Sequence, residues 1–187
     1  FRLVGMDRFN AMLEDEATGS WWRQANGEAI TGALKGTVLP EVPSRQVTLR
    51  RWLELYPSSL VMQGDPTFAA EYAQDYAFER GTSRSRLTGT DPRSWQEKSW
   101  VVGVRVADAE RAYDWNALVR DRVINDTLGG RPIVLAVADD SASFFVFERP
   151  DTASIVTLSG DSLRAGTRAW ALSGRGSAGT LVPVIAS

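Results

Sequence analysis

The stretch LGGRPIVLAVADDSASFFVFER, residues 128–149, decides the fold of this chain. It contains two apolar runs, IVLAVA at 133–138 and FFVF at 144–147, with a short polar segment between them. Two such runs joined by a short polar segment predict a β-hairpin. The pair Gly129–Gly130 predicts a tight turn that leads into the first strand. We therefore expect the chain to be organised around antiparallel β-structure.

Short strands are predicted on both sides of this hairpin. Glycines at positions 19, 27, 32 and 36 are too frequent for a long helix and favour short strands joined by tight turns. After the hairpin, the segments SIVTLSG, SLRAG and RAWALSG continue as further short strands. The other predicted strands are FRLVGM (1–6), LVMQ (60–63), KSWVVGVRV (98–106) and the residues that lead up to position 114.

Three segments carry helix signals. The strongest is VTLRRWLELYP at 47–57, where Thr48 is a candidate N-cap and Pro57 ends the helix. A second helix is predicted at 65–81, and a short third one at 115–121. The side chains that share one face of the first helix are Leu49, Trp52, Leu53 and Tyr56.

The sequence also contains a faint internal repeat. TGSWW at 18–22 is echoed by GTRAW at 166–170, and GTVLPEV at 36–42 returns as GTLVPVI at 179–185. The shared order of turn, tryptophan, glycine and Gly-Thr-apolar-apolar-Pro predicts a duplication. The two copies are expected to pack as pseudo-symmetric β units, since one such unit cannot bury its own face. The predicted fold class is therefore α+β, mainly β, with short antiparallel strands in two pseudo-repeated units and two or three helices.

The repeat suggests how the chain is divided. We predict a single domain over 1–187 that is a piece of a longer protein, since its opening FRLVG reads as the middle of a strand. The divisions are a first repeat remnant at 1–46, a helical connection and loop at 47–96, and a second repeat at 97–187. Within the connection, the polar and turn-rich residues 82–96 are predicted to form a surface loop.

The composition argues against several classes of function. A net charge of -2 lacks the basic excess of a nucleic-acid-binding protein, and no apolar run is long enough for a membrane-spanning helix. The chain has no cysteine, hence no disulfide, thiolate nucleophile or cysteine metal site. It has no histidine, the usual general base and the commonest transition-metal ligand. We therefore predict no metal site and no cofactor.

Four segments occur in an order that resembles a bacterial family catalogued as domain-of-unknown-function family 3179. They are MDRFNAMLEDEATGSWWRQANGEAITGALKG, KSWVVGV, AYDWNAL and RVINDTLGGRPIVL. The resemblance covers nearly the whole chain. It implies an internally duplicated envelope protein that is secreted, periplasmic or lipid-anchored.

The family pattern also has an upstream section that this chain lacks. There, a first copy of the motif IND…GG.P runs into a cysteine-containing stretch of the form TYCPLC. The matching position in this chain, after GGRPIVL, reads AVADDSASFFVFER and contains no cysteine. If the chemistry of the family depends on those cysteines, this chain holds none of it.

The adjacent pair Trp21 and Trp22 is the first candidate binding site. Neighbouring residues of a strand point to opposite faces, so at most one of the two faces the core. The other packs against another part of the protein or forms a surface for a ligand or a partner. Three polar residues lie close by: Gln24, Glu28 and Lys35. They either line a polar pocket or are ordinary turn and edge residues, and we favour the second interpretation.

A second group of candidates lies in the AYDWN and VINDTLGGRP motifs. Tyr113 and Trp115 could wall a cleft around Asp114, although we favour Asp114 as the cap of the helix that follows. Asn125 and Asp126 are predicted to form Asx-type turns before the two glycines. A calcium site at Asp126 with Asp139 and Asp140 is not predicted, because the alternating oxygen ligands of an EF-hand are missing.

These observations leave three functional hypotheses. The favoured one is a non-catalytic extracytoplasmic binding or assembly module of a bacterial envelope protein, joined to a protein partner or to the remainder of its own longer chain. The second is an enzyme of unknown reaction that uses Glu28, Asp114 and Asp126 in a cleft between the repeats. The third is a scaffold half of a protein whose missing cysteine-containing half carries out redox or metal chemistry.

Overall fold

The fold is given by a computed structural model that describes residues 1–7, 10–72, 95 and 99–186. These residues form antiparallel strands with a few short helices, so the predicted α+β, mainly β class is confirmed. The chain divides into two compact units, Phe1–Val42 and Pro43–Ser187. The divisions predicted from the repeat, at 46/47 and 96/97, stay a prediction.

The first unit is an antiparallel meander of four strands in the order β1-β2-β3-β4. Among its described residues, the buried apolar side chains are those of Met12, Trp22 and Ala29. Trp22 and Ala29 are register partners on one face of the sheet and Met12 lies on the other, so each face buries few apolar side chains for a sheet of this size. The strands are β1 (Arg2–Asp7), β2 (Asn10–Asp15), β3 (Ser20–Arg23) and β4 (Ala29–Thr31).

The second unit contains three antiparallel sheets, with strand orders β15-β5-β6, β7-β8-β9 and β10-β11-β12-β13-β14. Its helices are α1 (Leu49–Leu55), a 3-10 turn (Pro66–Phe68), α2 (Ala69–Tyr72) and α3 (Trp115–Asp121). Its strands are β5 (Val101–Val106), β6 (Ala109–Asp114), β7 (Val123–Leu128), β8 (Arg131–Val137), β9 (Phe144–Glu148), β10 (Thr157–Ser159), β11 (Ser162–Ala165), β12 (Arg168–Ala171), β13 (Arg175–Gly176), β14 (Gly179–Thr180) and β15 (Ile185–Ala186).

The hairpin β8–β9 lies at the centre of this unit and confirms the prediction from residues 128–149. Alternate side chains of β8 belong to two different cores: Ile133 and Leu135 to one, Val134 and Ala136 to the other. The first core includes side chains of β5, β6 and α3, and the second includes side chains of the meander β10–β14. Because both faces of the hairpin are covered, its strands are apolar at nearly every position.

Several local predictions are confirmed and others are wrong. Strand β1 covers the predicted first strand, and α3 covers the predicted helix at 115–121. Residues 60–63 form no strand, because none of the described strands pairs with them; Leu60 is 99% exposed. The predicted helix at 65–81 begins as the 3-10 turn and α2, and its remainder lies outside the described residues. The predicted loop at 82–96 also lies outside them, apart from Trp95.

Helix α1 begins at the predicted cap but turns the opposite face inward. Thr48 accepts a hydrogen bond from the Arg51 N–H, as expected for an N-cap. The predicted apolar face is exposed: Leu49 by 59% and Trp52 by 39%. Arg51 is instead buried, where it forms ion pairs with Asp139, Asp161 and Glu54. The helix therefore presents apolar side chains to solvent.

The β8–β9 loop fixes the start of α1 through Asp140. The Asp140 carboxylate accepts hydrogen bonds from the Ala142 and Ser143 N–H groups, and from the Ser143 and Thr48 hydroxyls at 2.7 and 2.9 Å. Burial acts to raise the pKa of Asp140, but these hydrogen bonds outweigh it and lower the pKa to about 2. The carboxylate is thus strongly held in its ionised form.

Acid is expected to destabilise the second unit through Asp140. Since its pKa lies below the ordinary value of 3.8, ionised Asp140 stabilises the fold above about pH 4, and this contribution is lost as the pH falls towards 2. The lost free energy of unfolding is about 2 kcal/mol. In urea denaturation at several pH values, Asp140→Asn should flatten the acid dependence by that amount. The exposed Asp108 offers a control, because Asp108→Asn makes the same chemical change away from this group of hydrogen bonds.

The two meanders of the chain have the same pattern of residue pairing between their strands. This similarity is the structural counterpart of the internal repeat in the sequence. In β1–β4, Leu3, Leu13, Trp22 and Ala29 lie side by side across the four strands. In β10–β13, Leu158, Leu163, Trp170 and Gly176 do the same. The turn before each tryptophan strand uses a glycine with positive φ, Gly19 at 63° and Gly166 at 60°.

Candidate functional site

Strand β3 sends the two adjacent tryptophans to opposite faces, as predicted. Trp22 is 5% exposed, whereas Trp21 is 39% exposed. The Trp21 indole N–H points to Glu14 Oε1 at 3.4 Å on the neighbouring strand. The buried Trp22 Nε1 has no hydrogen-bond partner among the described residues. Trp21 is therefore the solvent-exposed residue of the pair, and Trp22 the buried one.

The polar candidates beside them take part in local structure. Gln24 forms a double link with Ala11: its side chain accepts from the Ala11 N–H at 3.2 Å, and its own N–H donates to the Ala11 carbonyl at 3.1 Å. Glu28 accepts a hydrogen bond from Arg23 at 2.7 Å. Lys35 is exposed in the turn region after β4. Gln24 and Glu28 thus hold the meander together, as expected for turn and edge residues.

The structure brings Tyr113 and Asp126 into direct contact. The Tyr113 hydroxyl donates to Asp126 Oδ2 at 2.6 Å, and Arg111 forms an ion pair with the same oxygen. The pKa of Tyr113 is raised, mainly by burial of its hydroxyl and next by the hydrogen bond to Asp126. Burial acts to raise the pKa of Asp126, but the bonds from Tyr113 and Arg111 outweigh it and lower that pKa. Tyr113 keeps its proton and Asp126 its charge, so the group joins β6 to β7 electrostatically.

The remaining candidates of this region have structural contacts. Asp114 caps α3, since its Oδ2 accepts from the Ala117 N–H at 2.8 Å, which confirms the favoured interpretation. Trp115 is half-buried and packs edge-on against Phe144 at 6.2 Å. Asn125 donates to the Val156 carbonyl and accepts from its N–H, both at 2.8 Å. Asn125 does not form the predicted turn, because it lies inside β7.

Asp126 also lies inside β7 and outside the predicted turn, which the following glycines form alone. Glu28 belongs to the first unit, whereas Asp114 and Asp126 belong to the second.

Among the described residues, no group of three or more acidic side chains is arranged to hold a metal ion. None of the described helices is long and apolar enough to span a membrane.

The sequence interpretation missed the aromatic surface of α1. Trp52 and Tyr56 lie one turn apart, with ring centroids 4.6 Å apart. Trp52 donates its indole N–H to Ser59 at 2.9 Å, and Arg45 donates to the Tyr56 hydroxyl at 2.6 Å. Their helical spacing is visible in the sequence, but the spacing alone does not tell whether the shared face is buried or exposed. The buried arginine one position before Trp52 is the feature that reverses the helix.

Fold and candidate sites together define a class: a mainly antiparallel β protein with two meanders in one register and tryptophans exposed on its surface. A family model described as "Protein of unknown function (DUF3179)" matches residues 6–185. The chain belongs to this family, as the resemblance implied. Comparisons with curated proteins and with solved structures found no match.

Proposed function

We propose that this chain is a non-catalytic binding or assembly module of a bacterial envelope protein and works outside the cytoplasm. Its binding surface is the Trp22 face of the first meander, defined by Leu3, Met6, Ala11, Leu13 and Trp22. This face joins a protein partner or the remainder of the protein's own longer chain. The family resemblance supports the extracytoplasmic location.

The observation that carries this proposal is the comparison of the two meanders. In the second unit, the outer-strand residue Leu158 is partly buried, because that meander packs against the sheet β7-β8-β9. On the Trp22 face, its counterpart Leu3 is 64% exposed, and so is Met6 on the same strand. The tryptophans of both meanders are buried, but the outer strand is covered in one meander and exposes apolar side chains in the other. Exposed apolar patches of this kind mark interaction sites.

The candidate catalytic carboxylates support this preference over the enzyme hypothesis. Glu28, Asp114 and Asp126 each accept a hydrogen bond from a neighbouring group of the protein. These contacts give each carboxylate a structural role that needs no substrate. A scaffold attached to a cysteine-containing half is one form of the assembly role.

Site-specific photo-cross-linking in the producing bacterium tests the proposal. A photoreactive amino acid at position 3 is expected to give cross-linked products that are at least about tenfold more abundant than those from position 2. Arg2 is the matched control, since it neighbours Leu3 on the same exposed strand but points to the opposite face. Fractionation should recover the protein outside the cytoplasm. Equal cross-linking at both positions, or a cytoplasmic protein, would contradict the proposal.

A further inference from the structure

A second surface of the protein, formed by the aromatic residues of α1, has the features of a peptide-binding site. Two shallow recesses in the second unit share Tyr56 as a lining residue. One is lined by Pro43, Ser44, Arg45, Trp52, Tyr56 and Pro183. The other is lined by Leu55, Tyr56, Pro57, Ser58, Ser59 and Arg175.

The two aromatic rings are held in place by the protein itself. The Trp52 indole N–H is bound to Ser59, and the Tyr56 hydroxyl is bound to Arg45. Arg45 is fixed in turn, because it donates to the Ser173 carbonyl at 2.9 Å and lies over the Phe147 ring at 5.6 Å. The Trp52 N–H is therefore satisfied and the Tyr56 hydroxyl oxygen is held by Arg45, while Trp52 remains 39% exposed. What the site offers a ligand is rigid aromatic surface.

This chemistry favours a proline-rich segment over a sugar. A polyproline II helix has no internal hydrogen bonds to give up, repeats every three residues and packs its rings into neighbouring aromatic-lined grooves. A sugar also stacks on tryptophan, but its hydroxyl groups gain no hydrogen bond from Pro43, Pro57 and Pro183, which line the recesses beside the two rings. Two recesses that share one tyrosine suit successive turns of an extended proline-rich chain.

The charge beside the second recess specifies the ligand further. Arg175 is exposed, and among the described residues no carboxylate forms an ion pair with it. A guanidinium at the rim of an apolar groove favours a partner with an acidic side chain at that end. We propose that the Trp52–Tyr56 surface binds a proline-rich segment of a partner protein that carries an acidic residue next to its prolines. This inference concerns a different surface from the proposed function and does not depend on it.

Fluorescence anisotropy with the intact protein tests this inference. The probes are labelled proline-rich peptides of about a dozen residues, with glutamate or lysine placed at each position in turn. We expect saturable binding of glutamate peptides and a loss of at least about tenfold in affinity for Trp52→Ala. Trp21→Ala is the matched control, because Trp21 and Trp52 are both 39% exposed. Arg175→Glu, at an exposed position, should reverse the preference towards lysine peptides.

Three results would overturn the inference. They are no binding by any peptide of the panel, equal binding by the Trp52→Ala variant, and displacement of the peptides by cell-wall oligosaccharides. Circular dichroism of each variant confirms that it is folded before binding is measured. Leu3 belongs to the surface of the proposed function and lines neither recess, so Leu3→Ser should leave peptide binding unchanged. Each proposal can therefore fail without the other.

Discussion

Replacement of Arg149 by leucine is expected to lower the free energy of unfolding of the second unit by about 4 kcal/mol. Arg149 is 7% exposed, and its guanidinium donates only to main-chain carbonyl groups in the contacts described. Without it, these carbonyl oxygens, which are buried or partly buried, lose a charged donor, which costs about 1–3 kcal/mol for each buried group left unsatisfied. The acceptors are the carbonyl groups of Ile133 (3.1 Å), Thr152 (3.4 Å), Ser154 (2.6 Å) and Asp126 (3.0 Å).

Urea denaturation followed by circular dichroism measures this effect. Arg131 supplies the control, since its side chain is 59% exposed and its ion pair with Glu148, at 2.6 Å, is a surface contact. Arg131→Leu should cost less than about 1 kcal/mol. Arg149→Lys should be intermediate, because an ammonium group keeps the charge but cannot reach four carbonyl groups at once. A loss for Arg149→Leu no larger than that for Arg131→Leu would contradict the role assigned to Arg149.

Arg149 also shows where sequence interpretation reaches its limit. In the sequence it is the last residue of FFVFER and reads as the polar end of a strand. Its burial depends on carbonyl groups from β7, β8 and the loop after β9, which only the tertiary structure brings together. No pattern in neighbouring residues records such a contact. The hairpin that precedes it was predictable, because its turn and its strands are specified locally.

The orientation of α1 could not be predicted from the sequence for a related reason. Its N-cap and its end depend on local residues, so both could be predicted from Thr48 and Pro57. The buried face depends on what the rest of the fold offers, and here Asp139 and Asp161 surround Arg51. An apolar stripe predicts burial only when no other contact is stronger. The aromatic surface proposed as a binding site follows directly from that reversal.

The repeat was predictable in outline because tryptophan, glycine and proline are conspicuous in a sequence. The candidate site was predictable only in part. Tyr113 and Asp126 were each proposed, but their contact joins two sheets and has no signature at sequence level. The two copies of the repeat also differ at the residue paired with the tryptophan: it is Ala29 in the first meander and Gly176 in the second. This difference leads to a second large expected effect.

Substitution of Gly176 by alanine is expected to destabilise the second unit by about 3 kcal/mol. A Cβ atom at this position would lie 2.1 Å from the Ala169 carbonyl oxygen and 2.7 Å from Trp170 Cδ1. A backbone oxygen cannot move aside as a flexible side chain can, so the strand pair β12–β13 must separate. Trp170, which is 3% exposed, would then lose part of its packing. Urea denaturation monitored by tryptophan fluorescence measures the change.

The first meander provides the matched comparison, because Ala29 already occupies the equivalent position beside Trp22. Ala29 is 0% exposed, so its methyl group fits a space that the second meander does not have. Ala29→Gly should therefore cost only about 1 kcal/mol, through the lost methyl group and the freer backbone. If Gly176→Ala lowered the free energy of unfolding no more than Ala29→Gly, the space beside Trp170 would be as large as the space beside Trp22. The two meanders would then share their packing as well as their register, contrary to the structure described here.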